Sequence, residues 1–216
     1  MLEYNQKHRE DGMVLLNETP DESVRICFFD PQYRGILNKL RYGNEGARQK
    51  ERSELTQMSE DDIANFIFLI SRKLKPSGYL FLWVDKFILM EGTFREWAKG
   101  NHLSVVDMVT WDKQKIGMGY RSRRKSEYLV VLQKEPIIAK KTWRLHNIPD
   151  VWCEKIINKK HTHQKPKELI KLLITATTEE GDVVLDPAAG SFVVLDVCLE
   201  TNRRFLGCDI AFEEEE

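Results

Sequence analysis

Ile26-Cys27-Phe28-Phe29-Asp30-Pro31-Gln32-Tyr33 carries four apolar residues into an acid, a proline, an amide and an aromatic ring. A short apolar run of this kind reads as a buried strand, with the acid at its carboxyl end. Asp-Pro alone also starts ordinary turns. A second segment changes the reading. Asp182-Val183-Val184-Leu185-Asp186-Pro187-Ala188-Ala189-Gly190-Ser191-Phe192 is another apolar strand that enters a turn of small residues. Two such strand-to-turn elements suggest two adjoining pockets on one α/β sheet, whose ligands bind outside the strands' carboxyl ends.

Outward from these anchors, the pattern alternates. Pro20-Asp21-Glu22-Ser23 is a polar turn that leads into a strand over residues 24–29. Residues 34–56 follow Tyr33 without clean periodicity, and a loop of that length in a compact domain is usually functional or mobile. Ser59 with Asp62 forms a capping-box-like start, and Ile63, Phe66, Ile67, Ile70 and Leu74 recur at helical spacing. Lys75-Pro76-Ser77-Gly78 ends that helix before a strand over residues 79–84. A helix is expected over residues 93–99, with Gly100-Asn101 as its stop. Strands are expected over 103–111 and 126–132, joined by the basic turn 117–124. Residues 134–160 are irregular. A helix from about Pro166, a strand at 183–185, a helix at 193–199 and a strand at 205–208 complete the chain. Alternating strands and helices predict one α/β domain over residues 1–216, its twisted sheet mostly parallel, with helices on both faces.

Composition narrows the class. The chain has 216 residues, 31% charged and 42% apolar, enough for one domain with a sizeable core. No apolar run approaches the roughly 20 residues of a membrane span, and the opening residues lack a secretory core, so a soluble cytoplasmic protein is expected. Cys27, Cys153, Cys198 and Cys208 show no metal-ligand spacing and read as reduced residues; no metal is expected.

The net charge of −1 hides local patches. Arg34, Lys39, Arg41, Arg48, Lys50 and Arg52 form one basic cluster, and Lys113, Lys115, Arg121, Arg123, Arg124 and Lys125 another. A third includes Lys140, Lys141, Arg144, Lys155 and Lys165. Acid gathers elsewhere, at Glu60-Asp61-Asp62 and in the closing glutamates. Local patches set the field that a phosphate backbone feels, although any one cluster could be a solvated loop.

Ala188-Ala189-Gly190 gives a turn with almost no side-chain bulk, which lets a ligand approach the backbone. The next strand, Phe205-Leu206-Gly207-Cys208, closes on Asp209, placed to accept both hydroxyls of a ribose. The turn lacks the glycine and lysine pattern of a phosphate cradle. An adenosyl sulfonium therefore suits it better than NAD or ATP; the plain alternative is a tight turn beside an exposed acid.

At this point the chain resembles the permuted (beta-class) S-adenosylmethionine-dependent DNA amino-methyltransferases, whose catalytic motif precedes the cofactor motif. Asp30-Pro31-Gln32-Tyr33 resembles that family's Asp-Pro-Pro-Tyr, and residues 186–192 resemble its Asp-Pro-Phe-x-Gly-Ser-Gly. His161-Thr162-His163-Gln164-Lys165-Pro166 resembles its His-Pro-Thr-Gln-Lys-Pro. The resemblance implies a Rossmann-like methyltransferase fold with one antiparallel hairpin strand, and methyl transfer to adenine N6 of double-stranded DNA after base flipping. It implies Asp30, Pro31, Gln32 and Tyr33 as the catalytic set. Asp11, Lys165, Pro166, Asp186, Pro187, Ala188, Ala189, Gly190, Ser191, Phe192 and Asp209 would bind the cofactor. Tyr120 would join the basic residues on the DNA side. Residues 34–56 would be a mobile DNA-facing loop and residues 135–160 a short target-recognition segment in which Trp143, Arg144, His146 and Trp152 could touch DNA. Restriction-modification would be the setting, with a homodimer or a partner subunit possible.

Departures from the pattern bear on cofactor affinity. Gln32 replaces the second proline, Ala188 a phenylalanine and Phe192 a glycine. Cytosine N4 is the chief rival target, with RNA or a protein glutamine amide as lesser ones. A catalytically inactive DNA-binding subunit is the rival from another class.

Overall fold

The structure, a computed structural model, describes residues 3–32, 58–117, 121–157 and 164–212. Tyr33, the whole 34–56 loop with its six basic residues, Tyr120 and His161-Thr162-His163 lie outside the described residues. A seven-stranded sheet runs in the order β5-β3-β4-β2-β1-β6-β7. The strands are β1 (Val24–Phe29), β2 (Leu74–Val84), β3 (Leu103–Asp112), β4 (Ser126–Lys134), β5 (Val151–Cys153), β6 (Val183–Asp186) and β7 (Arg204–Gly207). The helices are α1 (Gly12–Glu18), α2 (Glu60–Lys73), α3 (Lys86–Glu91), α4 (Thr93–Ala98), α5 (Lys167–Thr177) and α6 (Val193–Glu200). β4 runs antiparallel to both β2 and β3, and the other pairs are parallel, as the sequence predicts.

The strands at the centre are apolar on both sides because both sides are covered. Cys27, Phe29, Leu80, Leu82 and Val84 face one core, with Ile63, Phe66, Ile67 and Ile70 of α2. Ile26, Phe28, Tyr79, Phe81 and Trp83 face the other, with Leu169, Ile170 and Leu173 of α5 and Val194 and Val197 of α6. This alternation is the period of two that a strand imposes. From β1 the chain crosses through α2 to β2 on one side, and from β6 through α6 to β7 on the other. Right-handed crossovers in opposite directions put their helices on opposite faces, which is where α2 and α6 lie. The neighbours β1 and β6 are therefore the switch point of the sheet, and in such sheets ligands bind beyond the carboxyl ends of the strands at that point.

Some elements differ from expectation. α2 stops at Lys73 and β2 starts at Leu74, with a register jump between Val24↔Leu74 and Ile26↔Tyr79. The Lys75-Pro76-Ser77-Gly78 segment is thus a bulge within the strand. Ser77 there has φ 59°, and a Cβ on Gly78 would stand 2.7 Å from the Arg25 carbonyl oxygen. α1, α3 and β5 are additions to the sequence reading. Three cysteines are buried and Cys153 is exposed, all of them free. No helix among the described residues is long and apolar enough to cross a membrane.

Candidate active site

β1 ends at Phe29, so Asp30 projects at its carboxyl end, followed by buried Pro31 and exposed Gln32. The Gln32 carbonyl accepts the Met58 N–H at 3.0 Å, which ties down the segment just after the acid. Trp83 and Val84 at the end of β2, Ser126, Glu127 and Tyr128 at the start of β4, and Lys165 ahead of α5 complete a cleft of about 390 Å³ with Asp30 in its wall. Its size and mixed lining suit a flat heteroaromatic group. Lys86 and Arg123 to Lys125 form its outer rim.

Charge in the cleft is arranged as an alternating chain. Lys165 Nζ lies 2.7 Å from Asp30 Oδ2 and 3.0 Å from Glu127 Oε2, and Lys113 Nζ lies 3.1 Å from Glu127 Oε1. The Lys165 ammonium also sits over the Trp83 ring, 4.8 Å from its centroid. Burial alone would raise the Glu127 carboxyl, but Lys165 and Lys113 outweigh it and hold it at about 2. Burial likewise opposes the charge on Lys165, yet Asp30 and Glu127 push its ammonium upward. Enclosure raises Asp30, with the Glu127 charge adding and Lys165 opposing.

The cofactor candidates gather beyond β6. Asp186 is buried, and desolvation raises its carboxyl well above the usual range. Gly190 is in the left-handed region (φ 51°), and a Cβ there would meet nothing within 4 Å, so its backbone faces open space. Asp209 Oδ2 accepts the Gly190 N–H at 2.8 Å and Oδ1 the Ala211 N–H at 2.9 Å. A carboxylate has about four acceptor sites, so two remain for ribose hydroxyls. The 8–12 segment lines the same turn: the Asp209 N–H reaches the His8 carbonyl at 3.0 Å, and a Cβ on Gly12 would stand 2.2 Å from the Pro187 carbonyl oxygen. Asp11 is thereby beside the turn, where its carboxylate caps α1 by accepting the Met13 N–H. Small side chains, an exposed backbone and a positioned acid fit an adenosyl cofactor.

Other sequence-predicted residues fall elsewhere. Lys165, expected beside the cofactor, has its amine on Asp30 and Glu127, because the chain ahead of α5 brings it to the end of β1. Pro166 is buried as the N-cap residue of α5. Ala188 and Ser191 are partly exposed, Ala189 is buried, and Phe192 is a core residue. Among the residues expected to meet DNA, Lys115 and Arg121 are exposed, Arg123 donates to the Gly117 carbonyl, and Arg124 lies over the Phe87 ring. Lys113 is committed to Glu127. Trp143 and Trp152 pack against the core and Arg144 donates to the Thr178 carbonyl, so these side chains of the 135–160 segment serve the fold. The resemblance puts Ser126-Glu127-Tyr128 at a strand-hairpin element beside the target pocket, but an acid at a half-buried strand start gives no sign of its lysine partners in sequence.

Fold and site together set a small-residue turn beside an acid-walled cleft, a layout that suits a group-transfer enzyme. A family model described as a DNA methylase, of the N6/N4 type, matches residues 24–216, and the chain belongs to that family. It is a DNA methyltransferase whose methyl donor is S-adenosylmethionine. Among curated relatives, the type II methyltransferase M.HhaII of Haemophilus parahaemolyticus is 59% identical over 214 residues, covering 98% of this chain and 93% of that protein. M2.DpnII of Streptococcus pneumoniae is 25% identical over 227 residues, covering 92% and 82%. Among solved structures, the M1.HpyAVI–SAM complex matches with a TM-score of 0.67 at 18% identity, covering 97% of this chain and 94% of that one. The cytosine-N4-specific PvuII DNA methyltransferase matches with a TM-score of 0.70 at 17% identity, covering 95% and 81%. At such identities these two likenesses speak for the fold alone.

Proposed function

We propose that the chain methylates the exocyclic N6 of adenine in double-stranded DNA, as the modification enzyme of a type II restriction-modification system working in the cytoplasm. The observation that carries the reading is Asp30 at the carboxyl end of β1, in the wall of a cleft that adjoins the Asp186–Asp209 turn. The lone pair of an aromatic amine is delocalised into the ring, so the amine is a poor nucleophile. Asp30 and the Pro31 carbonyl accept its two N–H bonds and return the lone pair to nitrogen. The flipped base enters between the walls formed by β2 and β4, with Tyr33 stacking on it as the resemblance implies; unpairing costs a few kcal/mol, which stacking offsets. The bound cofactor supplies a sulfonium methyl for an in-line displacement. Asp30 takes the proton that the methylated nitrogen gives up, directly or through water. Alignment of the two pockets on one rigid sheet contributes most, because in-line displacement tolerates little misplacement.

Methyl transfer to unmethylated genomic DNA, read by single-molecule sequencing, tests the assignment. N6-methyladenine in a defined short context is expected. N4-methylcytosine would move the target to the other base, and an unmodified genome would mark the chain as a DNA-binding subunit.

A further inference from the structure

Lys165, which its motif would place beside the cofactor, stands between two carboxylates. Its side chain is 14% exposed, its Nζ touches Asp30 Oδ2 and Glu127 Oε2, and the Trp83 ring closes one side. Glu127 in turn is fixed from its other oxygen by Lys113 at the end of β3. Four charges from four separate parts of the chain therefore alternate in sign and end on the one acid that the mechanism uses. A half-buried ionic network that ends on Asp30 is placed to fix the orientation of that acid.

We propose that Lys165 and Glu127 are positioning residues for Asp30: Glu127 anchors the Lys165 ammonium, which holds Asp30 ionised and turned toward the target amine. The inference rests on the proposed function and deepens it. Asp30 can accept from the amine only as a carboxylate; protonated, it carries a donor in the wrong place. Its surroundings disfavour the charge, and Lys165 is the cation that opposes them. Lys165 and Glu127 act on it directly and Lys113 through Glu127. The buried Asp186 faces it from β6. Asp85 and Lys86 at the start of α3, with Arg124 and Lys125 ahead of β4, charge the rim.

The test is a kcat–pH profile of Lys165→Met, Lys165→Arg and Glu127→Gln on a DNA substrate, with cofactor affinity measured by calorimetry. Lys165→Met should lower kcat about 10²-fold near neutrality, the order for one oriented group, with the KM for DNA and cofactor affinity within about twofold. Its acid limb should move up by about one pH unit or more, since an opposite charge close to a carboxylate shifts it by that much. Lys165→Arg should recover part of the rate. Glu127→Gln should lower the plateau while its acid limb moves down, because Asp30 loses a repelling charge and keeps an undivided cation. Removing one member of a buried pair can unfold a protein. If Lys165→Met does so, the Lys165→Met/Glu127→Gln double variant removes both charges and must still show an upward limb, smaller by the Glu127 repulsion that it also loses. An unmoved acid limb, or cofactor binding weakened more than tenfold with the limb in place, overturns the proposal. A wild-type protein that methylates no DNA would instead strike the functional reading beneath it.

Discussion

Phe192 holds a left-handed backbone (φ 55°, ψ 27°) at the N-cap of α6, where the family pattern has glycine. A non-glycine residue there costs on the order of 1–3 kcal/mol. The ring offsets that cost by packing against Phe205 and Phe212, with centroids 6.2 and 5.1 Å away. Restoring glycine should therefore destabilise the protein: the relieved strain is smaller than the roughly 3–5 kcal/mol lost when a buried phenylalanine is removed. Urea melts of Phe192→Gly are expected to show a lower midpoint, and a raised midpoint would mean that strain outweighs packing. Asp186 makes a second residue-scale prediction. Its folded pKa is raised, so the folded state binds more protons than the unfolded one above pH 3.8, and stability falls as pH rises from there toward the folded value. Asp186→Asn removes that dependence, and its melting temperature should fall less than wild type's between pH 4 and 7; parallel curves would contradict the burial argument. Asp30 and the small-residue turn were legible because a strand end followed by chemistry leaves a local pattern. The place of Lys165 was not, since its partners lie far away in sequence and only the crossover to α5 brings them together.

At the scale of elements, the sequence signals were strongest where a cap and a period agree. α2 begins with Ser59 and Asp62 in a reciprocal capping box, and its buried residues repeat at helical spacing. β5 has three residues and pairs only along Thr110, Trp111 and Asp112, too little for any period to register. α1 has seven residues and no acid in its first turn, so its one sign in sequence is the capping acid Asp11. That helix nevertheless locks the turn at Pro187. A Cβ on Gly12 would meet the Pro187 carbonyl at 2.2 Å and the Phe66 ring at 2.8 Å, and the first of these is backbone that cannot swing away. Gly12→Ala should push α1 off the turn and cost about 1–3 kcal/mol, the range for overpacking. Cofactor affinity should weaken with it, measurable by calorimetry on the folded variant. Unchanged affinity and stability would show that Asp11 and the turn are not coupled.

For the whole molecule, composition gave a near-neutral protein, while the structure puts Lys86, Arg123, Arg124 and Lys125 at the mouth of the cleft with Lys115 and Arg121 exposed nearby. Each cation on a phosphate adds about 0.9 to the slope of log affinity against log salt. Alanine at Lys115, Arg121 and Arg123 together should flatten that slope and weaken binding to all DNA sequences alike; an unchanged slope would make this rim a solvated face. Alternation of strands and helices made the α/β class legible, and charge patches made the rim legible. Strand order was not, because β5 and β3 join the sheet through long-range pairing that no local pattern encodes. What unites the molecule is a sheet whose adjacent strands β1 and β6 end side by side, one at the acid in the cleft wall and the other at the small-residue turn that Asp209 holds. Turnover and cofactor binding of Asp30→Ala test that arrangement most directly, with methyl transfer to unmethylated DNA followed by label and affinity by calorimetry. The account predicts a loss of at least ~10²-fold in turnover with folding and cofactor affinity close to wild type. Wild-type turnover in that variant would contradict it.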